Sequence, residues 1–243
     1  MSIENGRRLM KCTLLPLGIL LASVAAAQST RPASGPANPQ QIRQWVIGLT
    51  DADPAVRERS ADELLGLKRA DLAAVKQVLK ELALPDPALK QEMSQIVMHV
   101  YLSEAAYQPL PRGFLGVRMP TEEAGREADP KVQIVIESRL PGFDAYRKLR
   151  NGDGILDVEE RPLRQPPDRS DFIDKVGAMR AGSEIHLKVL REGKVIRIAV
   201  RTGAFPAEID AMTAGSADQF NDRRKAAAEK YVKEEFGALL EWE

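Results

Sequence analysis

The spacing of apolar residues changes once along this chain, and the change divides it in two. From residue 39 to about 107, apolar side chains recur three and four apart: Trp45, Val46 and Leu49; Val56, Ala61, Leu64 and Leu65; Leu72, Val75, Leu79 and Leu82; Ile96, Val97, Val100 and Tyr101. That period predicts four amphipathic helices. Between 112 and 203 the period falls to two. Val132, Ile134 and Ile136 alternate with Gln133, Val135 and Glu137, and Ile185, Leu187 and Val189 alternate with Glu184, His186 and Lys188. Such alternation predicts strands with one buried face. Arg191-Glu192-Gly193-Lys194 reads as a tight hairpin, with Val195, Ile196, Ile198 and Val200 on the returning strand. Two helical pieces interrupt the strands: one around Phe143 to Leu149, and one from about Ser170 to Met179, capped by Ser170 or Asp168. Five short strands and two helices predict a compact, partly open β-barrel. After Ala204 the pattern lapses until about Ser216. Phe220, Tyr231, Val232, Phe236, Leu239 and Leu240 then mark an amphipathic C-terminal helix. Its apolar face is expected to dock on one of the two domains, to mediate self-association, or to lie on a membrane surface. The fold class is therefore multidomain: all-α, then a β-barrel with two helices, then a final helix.

The N-terminus changes the picture of where the protein works. Arg7, Arg8 and Lys11 precede an apolar stretch from Thr13 to Val24, and Ala25-Ala26-Ala27 offers a small-residue cleavage site. This is the layout of a secretory signal peptide over residues 1–27. Residues 28–38 are rich in Pro, Ser, Gly and Ala and read as a flexible linker. The expected location is periplasmic or secreted, with membrane contact only if the N-terminal segment stays uncleaved. Cleavage after Ala27 would remove Cys12, the single cysteine, and leave 32 basic against 34 acidic residues. A balance so near neutrality gives no electrostatic reason to expect nucleic acid as a partner.

The helical region repeats. Asp53-Pro54-Ala55-Val56-Arg57 recurs as Asp86-Pro87-Ala88-Leu89-Lys90, 33 residues later, and Gln44, Val46 and Leu49 fall on Gln77, Leu79 and Leu82 at the same offset. Asp before Pro is a natural helix N-cap followed by Pro at the first helical position. A period near 33 marks stacked helical hairpins, each of which must bury its apolar stripe against a neighbour. The segment Leu49 to Arg57 resembles the inter-helix turn of HEAT-type repeats, so residues 39–107 are expected to form a short HEAT-like unit that folds independently of the strand-rich region.

Three pieces of the strand-rich region carry a second resemblance. Arg112-Gly113-Phe114-Leu115-Gly116-Val117 comes first, then Asn151-Gly152-Asp153, then the hairpin at Arg191 to Lys194. In that order they resemble a PDZ domain of the bacterial HtrA-like type, over residues 112–203, with 204–243 as linker and C-terminal helix. Two departures stand out: Glu159-Glu160 replaces an Asn-Gly turn, and Gly154 replaces a β-branched residue. The resemblance implies capture of an extended C-terminal peptide as an added strand between the second element of sheet and the longer helix. Gly113 and Gly116 are expected to turn the backbone so that successive amides converge on a carboxylate. Arg112 would add a cation, and Phe114, Leu115 and Val117 would wall the pocket for the last side chain. The strand from Val117 to Met119 would leave an edge free, and Ile173 and Val176 on the longer helix would form the far wall. Ile173 has a second reading, packing under the Pro166-Pro167 loop. Lack of a histidine at the start of that helix implies a preference for an apolar side chain two residues before the terminus. A bulky residue at position 116 is expected to abolish binding while leaving the fold largely intact.

Catalysis finds no support in the sequence. A Ser-His-Asp site needs a nucleophile, a base and an orienting carboxylate. The two histidines, His99 and His186, sit in a packed helix and on the polar side of a strand. No nucleophile-elbow, zinc, phosphate or dinucleotide motif is present, and Glu159-Glu160 reads as a turn pair. No catalytic residue, metal or cofactor is therefore expected. Two functions remain. One is an exported adaptor that binds C-terminal or extended peptide segments of other exported proteins. The other is a scaffold whose helical repeats and C-terminal helix make the main contacts, with the groove unused or filled by the chain's own tail or its linker at 107–111.

Overall fold

Asn38, Asp53 and Asp86 each precede a proline, and each starts a helix in the same way. The side-chain oxygen accepts the amide two residues on, from Gln40, Ala55 and Ala88, at 2.9 Å in all three cases. The computed structural model, which describes residues 37–103, 112–119, 134–164, 169–206 and 216–240, places α1 at Pro39–Gly48 and α2 at Pro54–Leu65. A 3-10 turn at Arg69–Asp71 leads into α3 (Leu72–Leu82), and α4 follows at Pro87–Ser103. The two Asp-Pro turns thus share one geometry across the 33-residue offset. Asp71, buried, accepts from the amides of Ala37 at 2.7 Å and Lys68 at 2.8 Å, and so pins the start of the helical region to its middle. The expected signal segment, most of the expected linker after it, Val132, the Pro166-Pro167 loop, Asp168 and residues 107–111 all lie outside the described residues.

The strand-rich region follows in the order β1 (Gly113–Phe114), β2 (Val117–Arg118), β3 (Ile134–Val135), β4 (Ser138–Arg139), α5 (Asp144–Lys148), β5 (Gly154–Val158), β6 (Arg161–Pro162), α6 (Arg169–Gly177), β7 (Glu184–Arg191), β8 (Lys194–Arg201) and β9 (Gly203–Ala204). Among the described residues there are thus more and shorter strands than the alternation predicted. β3, β5, β7 and β8 pair in that order with β6 on β5, while β1–β9 and β2–β4 form two small antiparallel pairs. Every second residue of β7 is buried, and Ile185, Leu187 and Val189 join Ile136, Leu149, Ile155, Phe172 and Val200 in one core. Asp153, 1% exposed, latches the Asn151-Gly152 turn to β7: it accepts from the Arg150 amide and receives both arms of the Arg191 fork, at 2.8 and 2.7 Å. Glu159 and Glu160 occupy the left-handed region at φ 53° and 60°, the conformation for which Asn-Gly is the ordinary choice.

A last helix, α7 (Ser216–Leu240), completes the helical core from the other end of the chain. Ala228, Val232, Phe236 and Leu240 are at most 5% exposed, and they belong to the same cluster as Ile42, Leu64, Leu79 and Met93. The helical core thus includes α7 beside the four helices of the first region, which is the docking expected of the C-terminal helix. The apolar face of α4 is wide, and α7 is what covers it.

The described residues form one compact unit, and polar contacts tie its helical and strand-rich parts together. Arg147 of α5 forks onto Asp62 of α2, and Arg150 pairs with Glu58. His99 of α4 is buried, stacks on Tyr146 with ring centroids 5.0 Å apart, and accepts the Gly142 amide on Nδ1 at 3.0 Å. Burial, with Arg147 and Arg224 nearby, pushes the His99 pKa from its ordinary 6.5 down to about 3.

Both the core and the junction can be probed by single substitutions. Phe236→Ala removes a fully buried ring from the helical core and should cost about 3–5 kcal/mol, read as a shift in the unfolding transition. Between pH 6.5 and 3 the unfolded chain binds a proton that native His99 refuses, so stability must fall as pH falls through that window. At pH 5 the loss from this group amounts to about 2 kcal/mol. His99→Asn keeps an acceptor near the Nδ1 position and does not titrate. Denaturant titrations of both proteins at pH 7 and pH 5 should show that much of the acid loss gone in the variant.

Candidate peptide-binding site

The loop between β1 and β2 is built by one close approach. Gly116 has φ +70°, and a Cβ there would fall inside contact distance of the Phe143 ring, a side chain only 2% exposed. No L-residue fits that conformation against that ring without strain. With Gly116 turned this way, the Leu115 and Gly116 amides have no hydrogen-bond acceptor among the described residues. Successive amides freed by a left-handed residue form a concavity suited to an anion.

The register of β2 sets what lies beyond the nest. The carbonyls of Gly116 and Arg118 accept from the Leu140 and Glu137 amides, at 2.7 and 3.0 Å, on the β4 side. Backbone groups alternate sides along an antiparallel strand, so Val117 and Met119 direct theirs to the opposite edge. No strand among the described residues pairs with that edge.

Several expected roles shift once the side chains are placed. Gly113 does not turn the chain: it lies within β1, and a Cβ there would meet the Val176 and Met179 carbonyl oxygens at 2.8 and 2.9 Å. It is glycine because the end of α6 presses against it. Leu115, Met119 and Val176, at 2%, 8% and 4% exposure, belong to the core. The apolar surface left within reach of a peptide reduces to Phe114, Val117 and Ile173, all half-buried. Ile173 packs partly on the same core. Arg112 is exposed, and its guanidinium stacks over the Phe205 ring at 4.3 Å. The expectation that a bulky residue at 116 would spare the fold also fails, because Phe143 occupies the space.

Phe143 and Phe205 are the residues that the sequence pattern did not single out for the site. Both contact Phe114 edge-on, with centroids 5.1 and 5.6 Å away. Behind Phe143 stands Arg224 of α7, 4.7 Å from the ring centre. Burial lowers the Arg224 pKa to about 10, and one guanidinium nitrogen, Nη1, has no hydrogen-bond partner among the described residues. Arg118 on β2 pairs with Asp218 of the same helix. Neither contact has a short-range signature, since residues about a hundred positions apart make them.

Elsewhere the chemistry is sparse. A cleft of about 450 Å³ lies between α2 and α5, but its Arg147 and Arg191 are already paired with Asp62 and Asp153. His186 is exposed beside Glu159, while His99 is sealed in the junction. Among the described residues no cluster of His, Cys, Asp or Glu could hold a metal ion, and no helix is long and apolar enough to cross a membrane.

Two amides without acceptors beside a free strand edge, with a helix pressed against the strand before it, are the arrangement of the PDZ class of domain. Residues 113–202 match the PDZ domain family, and this part of the chain is a PDZ domain with homology to those of HtrA and DegP proteases. A "Probable periplasmic serine endoprotease DegP-like" of Pseudomonas fluorescens is 32% identical over 103 residues, which cover 40% of this chain and 21% of that protein. Among solved structures, the HtrA-type protease AlgW is similar with a decapeptide (26% identity, TM-score 0.34, 49% of this chain and 34% of that one). It is also similar with a tripeptide (27% identity, TM-score 0.33, 39% and 32%). The chain spans about a fifth of the length of the curated relative and about a third of these structures.

The geometry of Gly116 gives a direct test. Gly116→Ala should destabilise the fold by about 2–4 kcal/mol, from left-handed strain plus overpacking against Phe143. Thermal unfolding of the purified variant measures it, and an unchanged transition would mean that Phe143 does not hold the loop.

Proposed function

We propose that this chain is an exported, non-catalytic adaptor whose PDZ groove captures apolar C-terminal peptides of other exported proteins by strand addition. One observation carries the reading: the Leu115 and Gly116 amides, without acceptors among the described residues, open directly onto the free edge at Val117 and Met119. The anion site recognises a chain end, the edge supplies main-chain hydrogen bonds, and Phe114, Val117 and Ile173 favour an apolar last residue. The periplasmic DegP-like relative and the basic-apolar-small N-terminus both support export. The relative is a protease, but the sequence of this chain offers no nucleophile, base and carboxylate arrangement to match. In this reading the helical region is a HEAT-like spacer, and its matching Asp-Pro turns are the supporting feature.

The alternative reading is an assembly scaffold. It draws on α7, which fills the helical core and also reaches Arg118 and Phe143 in the PDZ domain. Matched acid and amide peptides ending in Val, Leu or Phe separate the two. Titrated into the protein from residue 28 onward, the acids should bind more tightly by about 1.5–3 kcal/mol, the worth of hydrogen bonds to a charged group. Equal affinity for both forms would discard the carboxylate site and favour the scaffold.

A further inference from the structure

The peptide site does not end at the PDZ domain. A peptide carboxylate in the Leu115–Gly116 nest lies at the start of β2, so the peptide must run antiparallel to that strand. Its last residue then pairs with Val117 and the residue two before it with Met119, because these are the positions whose backbone groups point to the free edge. The penultimate residue falls opposite Arg118. Residues directly opposite in an antiparallel pair place their side chains on one face. That face already holds the Arg118 side chain and its ion-pair partner Asp218, each about half exposed.

Asp218 comes from outside the matched PDZ segment, in the first turn of α7. Its helix is fixed at the far end by Ala228, Val232, Phe236 and Leu240 in the helical core, and beside the loop by Arg224 against Phe143. Asp218 is therefore held near β2 by the rest of the protein and not by the groove itself. On the strength of the peptide-binding reading above, we propose that Arg118 and Asp218 together form a charge-reading subsite for the peptide's penultimate side chain, with Asp218 delivered from the helical region through α7. With both charges present, opposite signs cancel, and the subsite is nearly indifferent to charge. Remove either charge and the other sets the preference.

The test uses the protein from residue 28 onward and two free-acid peptides that differ only in a penultimate Glu or Lys. In the unaltered protein the two affinities should agree within about twofold. Asp218→Asn should favour the Glu peptide, and Arg118→Gln the Lys peptide, each by about three- to fivefold at low salt, as befits half-exposed charges. The double variant should return to near parity, and 1 M salt should erase both preferences. If the free acids bind but Asp218→Asn leaves the Glu-to-Lys ratio unchanged, α7 does not contribute and the inference is overturned, even where Arg118→Gln alone shifts the ratio. Failure of both peptides to bind any of the four proteins would instead remove the peptide-binding reading on which the subsite rests.

Discussion

The packing of the Phe143 ring against Gly116 is the constraint on which the rest of the site depends. The ring leaves no room for a Cβ, so the chain can pass only as glycine in the left-handed region. That conformation leaves the Leu115 and Gly116 amides without a strand partner among the described residues and makes them available to an anion. The same ring is the edge-on neighbour of Phe114, and it follows Gly142, whose amide is held by His99 of the helical region. A buried side chain at the N-cap of a five-residue helix thus sets the loop, backs Phe114 and lies beside one contact between the two halves of the protein. Packing of this kind is stiff, because interiors at native density have few voids into which a ring can retreat.

Much of this fold could be read from periodicity. The four helices of the first region follow from apolar residues three and four apart and from Asp-Pro caps, both of which are local signals. The hairpin at Glu192-Gly193 and the alternation along β7 are equally local. For the site, the motif from Gly113 to Val117 identified the loop, and the positive φ at Gly116 is the reason a glycine was needed there. What periodicity could not convey is which apolar residues of the motif face inward. Leu115, Met119 and Val176 are as apolar as Phe114 and Ile173, and only the three-dimensional packing separates core from groove. The role of Gly113 was hidden for a related reason: a glycine that admits the end of a helix looks in sequence like one that turns a loop. Phe143, Phe205, Arg224 and Asp218 are invisible to any local rule, since their partners lie far off along the chain.

The placement of α7 gives the protein a different logic from that of a free-standing PDZ module. Its last turns lie in the helical core, while its first turns touch β2 and the ring behind the carboxylate loop. A rigid helix anchored at one end carries constraint to the other, so the position of Asp218 is decided by Phe236 and Val232 more than by the exposed ion pair it makes. Exposed pairs are individually weak, and neither Arg118 nor Asp218 could hold a helix in place alone. The energy that orients α7 is hydrophobic and distant from the groove, and the charge it delivers is local to it.

Arg224 is the costliest part of that arrangement. Its guanidinium is largely buried, lies over the Phe143 and Phe220 rings, and has a nitrogen without a partner among the described residues. Burial lowers its pKa to about 10, yet leaves it charged at neutral pH. A cation over an aromatic face recovers part of the lost hydration, about 2 kcal/mol when desolvated, and the planar guanidinium suits such stacking better than an ammonium would. The cost becomes intelligible from position. Arg224 presses on Phe143 from the α7 side while Gly116 presses from the loop side, so the ring is held between the helix and the loop.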